Sequence, residues 1–293
     1  MACACIDIGT NTTRLLVAEA GPGGLRELLA QRVFTRVRRA QAADGTIGAE
    51  KLRELVDVVA AQARAARALG CGSVRAVATA AIREAPNAGD LVAAVRAAAG
   101  VELEILGADE EARLAFRGAT RTIDRALEPG AAVAVVDLGG GSTEIAVGSV
   151  GEGVTWWRSL PVGSGTLCDA HLRADPPARA ELAAVRAHAA EAFAGLRPPR
   201  PALALAVGGS ATSLRRLAGA ELGPASLGRA MDELADLPCA EVARRHGLDP
   251  ERVRLLPGAL AVLEQAAAAL GAPLEVANGG LREAVVLEAL DAA

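Results

Sequence analysis

The chain has 293 residues, 52% of them hydrophobic and 23% charged, a composition typical of one large or two ordinary globular domains. Its formal net charge is -4 and its aromatic content only 2% with no Tyr, which excludes general attraction for polyanions and base-stacking platforms for nucleic acid. The longest uncharged stretch, 201–214, is too short to span a membrane, and the N-terminus lacks a signal-peptide pattern. We therefore expect a cytoplasmic protein that binds neither nucleic acid nor membrane.

Several kinds of catalytic site are disfavoured by residue usage. The five Cys show no C-x-x-C spacing, and His171, His188 and His246 lie far apart in the sequence, so we expect neither a zinc site nor a Ser-His-Asp triad. Lys51 is the sole lysine and belongs to no phosphate-binding loop of the G-x-x-x-x-G-K type. An anionic ligand would have to be held by local geometry.

In chain order, the first half predicts a three-stranded meander followed by alternating helices and strands. The meander comprises strands over 3–8, 15–18 and 28–35, with a turn at Gly9-Thr10-Asn11 and a second at 21–24. The further predicted elements are a helix over 49–69, a strand over 74–78, a helix over 91–99, a strand over 102–106 and a helix over 110–120.

The second half repeats this pattern from a strand over 131–137, through the turn Gly139-Gly140-Gly141-Ser142, to strands near 144–148 and 154–160. The repeat predicts two similar α/β domains, 1–122 and 123–293, with a cleft between them and the last helix, 280–293, packing back on the first. The remaining predicted elements are helices over 179–193, 210–218, 251–270 and 280–290, and strands over 203–207 and 274–277.

The two glycine-containing turns are candidate phosphate sites. Asp7 and Asp137 end equivalent strands, and each is followed by a tight turn. Glycines allow backbone N–H groups to approach phosphate oxygens, and the nearby acid is suited to hydrated Mg²⁺. The alternative is a pair of ordinary hairpin turns, which the occurrence of both at equivalent places disfavours.

Eight segments extend the comparison over the whole chain: DIGTNTTRLLV, VATAAIREAPN, GADEEARLAF, VVDLGGGSTEIAVG, LPVGSGTL, AVGGSATSL, ERVRLLPGALAVLE and NGGLREAVVLEAL. In this order they resemble the exopolyphosphatase and guanosine pentaphosphate phosphohydrolase family of the actin, Hsp70 and sugar-kinase superfamily. The resemblance implies two ribonuclease-H-like, actin-like ATPase domains. It also implies the short form of the family, without the further helical domain of larger members.

The resemblance assigns roles to individual residues. The second Glu of the EEAR motif, Glu111, matches the catalytic carboxylate that accepts a proton from the attacking water. Without the family, a Glu at a helix N-terminus is more simply a partner of the helix dipole, and the less favoured alternative for Arg83 is a surface helix residue. The implied ligands of Mg²⁺, or of Mn²⁺, are Asp7, Asp137 and Glu144. The implied phosphate contacts are Thr10, Asn11, Thr79, Arg83, Gly139, Gly140, Gly141, Ser142, Gly209 and Ser210.

The leading function is that of an exopolyphosphatase, which releases phosphate from the end of inorganic polyphosphate with Mg²⁺; guanosine pentaphosphate is the alternative substrate. A sugar or acyl kinase would share the two turns but not TAAIREA and EEAR, and retention of Glu111, Asp137 and Glu144 disfavours a non-catalytic sensor. Six Arg and two Glu between residues 14 and 39 suggest a local basic patch for short polyphosphate, acted on with little processivity. The sequence leaves open whether the chain works as a homodimer.

Overall fold

The computed structural model describes residues 1–22 and 24–292, which form two compact α/β units. The first unit combines Met1–Leu114 with the C-terminal helix, and the second is Ala115–Gly280. The sequence placed the boundary after residue 122, whereas the units divide within a helix, after Leu114. The fold class is the predicted one, a pair of units each built on its own sheet.

The first unit contains a five-stranded sheet in the order β3-β2-β1-β4-β5. Strands β1, β2 and β3 are an antiparallel meander, whereas β4 and β5 run parallel to β1 because helices connect them. The elements are β1 Ala2–Ile8, β2 Thr13–Gly21, β3 Gly24–Val33, a 3₁₀ turn Arg38–Ala40, α1 Ala49–Ala68, β4 Cys71–Ala78, α2 Ala80–Arg83, α3 Ala88–Ala99, β5 Leu103–Ile105 and α4 Ala108–Thr120.

Alternation along β1 places its side chains in two separate cores. Ile6 and Ile8 pack in one cluster with residues of α1 and α3. Cys3 and Cys5 point the other way and pack with Leu114 and with the C-terminal helix, Leu281–Asp291. Both thiols are buried, so these cysteines act as small core residues. Asp7 follows the same alternation and lies on the cysteine side of the sheet.

The second unit has a six-stranded sheet in the order β10-β11-β9-β6-β7-β8. It repeats the first unit: an antiparallel meander of β6, β7 and β8, followed by β9 and β11 parallel to β6. The elements are β6 Val133–Leu138, β7 Thr143–Ser149, β8 Gly153–Leu160, α5 Ser164–His171, α6 Arg179–Ala192, β9 Leu203–Val207, α7 Gly209–Ala218, β10 Glu221–Leu222, α8 Pro224–Asp236, α9 Cys239–His246, α10 Pro250–Val253, α11 Leu256–Leu270 and β11 Leu274–Val276; α12 is Leu281–Asp291.

Three helices of the second unit, α5, α8 and α9, were absent from the prediction, and the predicted helix over 251–270 is divided into α10 and α11. The stretch Pro250–Leu270 is long and apolar enough to cross a membrane by length and composition alone. However, 72% of its most apolar window is buried inside the unit, so other helices and the sheet already cover its side chains.

Candidate active site

The two predicted phosphate turns have the same backbone geometry. In the first unit the N–H of Gly9 donates to the carbonyl of Thr12 at 3.0 Å, and in the second the N–H of Gly139 donates to the carbonyl of Ser142 at 3.0 Å. A Cβ at Gly139 would lie only 3.0 Å from that carbonyl oxygen, so the turn favours glycine there. The repeat seen in the sequence is therefore a repeat of structure.

The first turn carries two buried polar atoms that lack a partner among the residues the structure describes. They are Oδ1 of Asp7, at the end of β1, and Nδ2 of Asn11, within the turn. Buried polar atoms normally have hydrogen-bond partners, so an unpartnered acceptor and donor close together in sequence indicate room for a ligand. A hydrated cation suits the carboxylate, and a phosphate oxygen suits the amide. Thr10, between them, is itself buried.

Burial raises the pKa of Asp7 above its ordinary value of 3.8. The guanidinium groups of Arg282 and Arg14 oppose this increase, and Glu283 adds to it. Arg14 lies directly opposite Asp7 in the β1–β2 pair. The Asp7 carboxylate is thus desolvated, and two arginines compensate its charge. Desolvation makes the ionised form unfavourable, and acids in such environments are concentrated at functional sites.

Arg83 and Glu111 meet at the ends of parallel strands. The N–H of Thr79, just after β4, donates to the carbonyl of Ile8 at 3.2 Å, and the turn that begins at Thr79 forms α2. Arg83 ends α2 and donates from Nη1 to the carbonyl of Leu106 at 2.8 Å and to Oε1 of Glu111. Glu111 is only 4% exposed, so its carboxylate is held by a charged partner inside the unit.

The neighbouring Glu110 has a different environment. Its carboxylate is half-buried and accepts two hydrogen bonds from Arg113, which hold its pKa below the ordinary value. Arg113 also pairs with Glu288 of α12. Glu110 is thus part of a surface ion-pair network, whereas Glu111 is buried beside Arg83. This difference supports the choice of Glu111 over Glu110 as the functional carboxylate.

Asp137 and Glu144 form the acidic centre of the second unit. They are directly opposite each other in the β6–β7 pair, so their side chains leave the same face of the sheet. Glu144 is 3% exposed, and its Oε1 accepts a hydrogen bond of 2.7 Å from the hydroxyl of Ser159. The equivalent positions in the first unit hold Asp7 and Arg14, so only the second unit presents two carboxylates across its turn.

The second turn, Gly139 to Ser142, is fixed by the start of α5. The N–H of Ser164 donates to the carbonyl of Gly139 at 3.1 Å, and that of Gly165 to the carbonyl of Gly140 at 2.9 Å. A Cβ at Gly163 would lie 2.7 Å from the carbonyl oxygen of Gly140, so the two backbones can meet only because this residue is glycine. The sequence suggested no helix at this point, although the segment LPVGSGTL was part of the resemblance.

The turn before α7 lies next to the same acidic centre. Gly208 has φ +96°, and a Cβ there would lie 3.2 Å from Oδ1 of Asp137. A Cβ at Gly209 would lie 2.9 Å from both terminal nitrogens of Arg252, a buried arginine of α10. Ser210 is buried in the first turn of α7. The helix N-terminus and the guanidinium together favour an anion at this turn.

These residues fit Mg²⁺ in a particular way. No group of three or more His, Cys, Asp or Glu side chains suited to a metal occurs among the described residues. Mg²⁺ is commonly held by one or two carboxylates together with water and substrate phosphates, not by an all-protein cage. The opposed pair Asp137 and Glu144 meets that requirement within the second unit, and the half-buried Asp7 is a separate candidate carboxylate in the first unit.

A family model described as the Ppx/GppA phosphatase family matches residues 16–293. The chain belongs to this family. Among curated Ppx/GppA relatives, Exopolyphosphatase 1 of Mycobacterium tuberculosis is 33% identical over 98% of this chain and 87% of its own length. The Exopolyphosphatase 1 of Mycobacterium leprae is 31% identical over 98% of this chain and 88% of its own.

Solved structures agree with the Ppx/GppA assignment. The Ppx/GppA family member of Aquifex aeolicus is 26% identical, with a TM-score of 0.81 over 100% of this chain and 98% of that one. An exopolyphosphatase from Cytophaga hutchinsonii has a TM-score of 0.87 at 20% identity, covering 100% of this chain and 99% of that one, which is a likeness of fold alone. The Ppx/GppA fold comprises two actin-like ATPase domains, as the sequence predicted.

The predicted Ppx/GppA site residues are divided between the two units. The first unit holds Asp7, Thr10, Asn11, Thr79, Arg83 and Glu111, and the second holds Asp137, Gly139, Gly140, Gly141, Ser142, Glu144, Gly209 and Ser210. Sequence reasoning did not single out Arg252 or Gly163. Both lie in segments that contributed to the resemblance, but only packing shows that Arg252 reaches Gly209 and that Gly163 meets Gly140.

Proposed function

We propose that the chain is an exopolyphosphatase that hydrolyses the terminal anhydride bond of inorganic polyphosphate with the help of Mg²⁺. The observation that carries this proposal is the buried Glu111 carboxylate held by Arg83, in a chain of the Ppx/GppA family whose curated relatives are named exopolyphosphatases. Hydrolysis of an anhydride needs a positioned water, a base for its proton and charge compensation for the phosphoryl group.

Glu111 is the base in this proposal. It accepts the proton of the water that attacks the terminal phosphorus, so that hydroxide character develops only as the new P–O bond forms. Arg83 acts through Glu111, because its Nη1 binds both the carboxylate and the carbonyl of Leu106 and so limits rotation of the Glu111 side chain. We therefore assign Arg83 a positioning role, in addition to the phosphate contact that the resemblance implies.

Asp137 and Glu144 would hold Mg²⁺ within the second unit, and Asp7 is a candidate metal ligand of the first unit. When bound, the ion supplies positive charge to phosphate oxygens that lysine cannot supply here, since Lys51 is the chain's only lysine and its Nζ is bonded to the carbonyl of Thr35. The hydrogen bond from Ser159 limits Glu144 to a narrow range of orientations. Mn²⁺ fits the same oxygen donors.

The two turns and the start of α7 would bind phosphate oxygens. Asn11 offers an unpartnered buried N–H, and Arg252 adds charge beside Gly209. Both groups are donors, so they suit the oxygens of an anhydride chain. Polyphosphate is proposed ahead of guanosine pentaphosphate because the curated relatives are named exopolyphosphatases.

A panel of substrates tests the proposal. Tag-free protein is incubated with short and long polyphosphate, guanosine pentaphosphate, or ATP with candidate sugars, and released phosphate is measured with Mg²⁺ and with excess EDTA. We expect Mg²⁺-dependent phosphate release from polyphosphate, and release slower by about 10²–10⁴-fold with Glu111→Gln. Faster release from guanosine pentaphosphate would assign the alternative substrate, and sugar-dependent consumption of ATP would refute a hydrolase.

A further inference from the structure

A pair of histidines lies at the other end of α5 from the second phosphate turn. His171 is the last residue of α5, and His188 lies on the exposed side of α6. Nε2 of His171 and Nδ1 of His188 are 2.9 Å apart, with ring centroids 5.2 Å apart and ring planes perpendicular. The sequence placed these residues 17 positions apart, with no sign that they meet.

A simple structural role does not account well for this pair. A hydrogen bond between two imidazoles requires one ring to donate and the other to accept. At a solvent-exposed position water can replace either partner, so the net stabilisation from such a bond is small. The third histidine, His246, is placed differently: its nitrogens lie 3.1 Å from the carbonyl of Arg216 and 2.9 Å from Oε1 of Glu233.

The distance suits two neighbouring ligands of one metal ion. Imidazole nitrogens bind Zn²⁺ at about 2.0–2.1 Å, so two nitrogens 2.9 Å apart subtend an angle of about 90° at a shared ion. That angle is the one between adjacent ligands in square-planar or octahedral coordination, which Cu²⁺ and Ni²⁺ adopt. To bind such an ion, each lone pair must point about 45° away from the line between the two nitrogens, which requires the hydrogen bond to break and the two rings to turn.

We propose that His171 and His188 form an accessory site for one divalent transition-metal ion that prefers imidazole nitrogen and square-planar or octahedral coordination, Cu²⁺ or Ni²⁺. Water fills the other positions, because no third His, Cys, Asp or Glu joins the pair among the described residues. The site uses no carboxylate, so it is chemically distinct from the Mg²⁺ site, whose donors are oxygens. Binding would join the end of α5 to α6.

This placement links the pair to the phosphate turn within one helix. The first residues of α5 hold the carbonyls of Gly139 and Gly140 through their N–H groups, and the last residue of α5 is His171. Eight helical residues span about 12 Å. A metal ion that binds only the folded pair must also stabilise the fold by mass action. Thermal unfolding is therefore a readout that is independent of any reaction.

The test measures metal binding directly. Tag-free protein in excess Mg²⁺, which keeps the oxygen sites filled, is titrated with Ni²⁺ by calorimetry. The variants His171→Gln and His188→Gln are compared with His246→Gln as the matched control. We expect one Ni²⁺ per chain in the wild type and in the control. Outer-sphere changes alone alter metal affinity about 10–100-fold, so loss of either ligand should weaken binding at least tenfold.

Two further measurements keep the outcome decisive. The Ni²⁺-induced rise in the unfolding temperature should be present in the wild type and the control, and absent in the two ligand variants. One equivalent of Cu²⁺ bound to the wild type should show coupling to imidazole nitrogen in its electron paramagnetic resonance spectrum. This measurement needs no variant, so it does not depend on whether a variant folds. Absence of stoichiometric binding to the wild type would overturn the proposal. So would Ni²⁺ binding by either ligand variant as tight as that of the wild type, or a Cu²⁺ spectrum with oxygen ligands only.

Discussion

Arg83 holds Glu111 through the same nitrogen that binds the carbonyl of Leu106. Nη1 of Arg83 donates to Oε1 of Glu111 and, at 2.8 Å, to the Leu106 backbone. The carboxylate at the start of α4 is thereby tied to the ends of β4 and β5, because Arg83 follows β4 and Leu106 follows β5. The orientation of Glu111 is therefore set by the strands of the first unit as well as by its own helix.

Glu111→Gln should lower kcat by about 10²–10⁴-fold, the usual contribution of general base catalysis, with little change in KM. The amide keeps the size of the side chain but cannot accept the proton of the attacking water. Steady-state phosphate release from polyphosphate gives both constants. The control is Glu110→Gln, which removes the adjacent carboxylate that binds Arg113 and should retain activity. Similar losses in the two variants would contradict the assignment.

Arg83→Ala should lower kcat by roughly 10²-fold, because a catalytic group displaced by about 1 Å loses activity on that scale. Arg83→Lys should recover only part of it, since an ammonium group lacks the planar geometry of guanidinium. The split between kcat and KM decides what Arg83 does. A fall in kcat supports positioning of Glu111, whereas a rise in KM with kcat unchanged would leave phosphate binding as its sole role.

Asp137→Ala should abolish activity at every Mg²⁺ concentration, because it removes a carboxylate from the opposed pair. Ser159→Ala should raise the Mg²⁺ concentration for half-maximal activity by about tenfold, the lower end for loss of an outer-sphere hydrogen bond. Mn²⁺ affinity can be measured without substrate by electron paramagnetic resonance of the free ion. It should decrease from the wild type to Ser159→Ala and further to Asp137→Ala. Full activity of the wild type in excess EDTA would exclude the metal from the mechanism.

Asp7→Asn should stabilise the chain near pH 8 in EDTA while lowering its activity. Burial raises the folded-state pKa of Asp7, so the stability of the wild type falls as the pH rises from 3.8 through that folded pKa and stays low above it. The asparagine side chain does not ionise, so Asp7→Asn does not lose stability in this way. The difference between the urea midpoints of Asp7→Asn and the wild type should therefore narrow as the pH falls towards 3.8. Asp57→Asn, at an exposed position of α1, should show no difference. A destabilised Asp7→Asn at pH 8 would refute the argument.

Arg36→Ala should raise KM for polyphosphate by roughly tenfold, the effect of losing one hydrogen bond to a charged group, with a smaller change in kcat. Arg36 adopts φ +45° although it is not glycine, and its N–H donates to the carbonyl of Asn11 at 3.0 Å, so its backbone is fixed beside the first turn. Arg38 binds Glu84 at 2.6 Å. Arg38→Ala should also raise KM, and equal effects of either substitution at low and high salt would argue against electrostatic attraction.

The sequence by itself determined the two turns and their acids. Each turn is local: an apolar strand, an acid, and a glycine two residues later specify it without help from distant segments. The opposition of Asp137 and Glu144 is also local, because a tight turn between two antiparallel strands fixes which residues face each other. The identity of Glu111 came from the resemblance, since a helix N-terminus alone does not distinguish it from Glu110.

Tertiary packing decided the elements and contacts that local sequence specifies weakly. Helix α5 is only eight residues long and has a glycine, a poor helix former, in its first turn. Its backbone hydrogen bonds with Gly139 and Gly140 hold it in place. Arg252 reaches Gly209, and α12 packs on β1 although almost the whole chain separates them. These contacts join residues far apart in sequence, and their free energy comes from burial in a shared core, which no window of neighbouring residues contains.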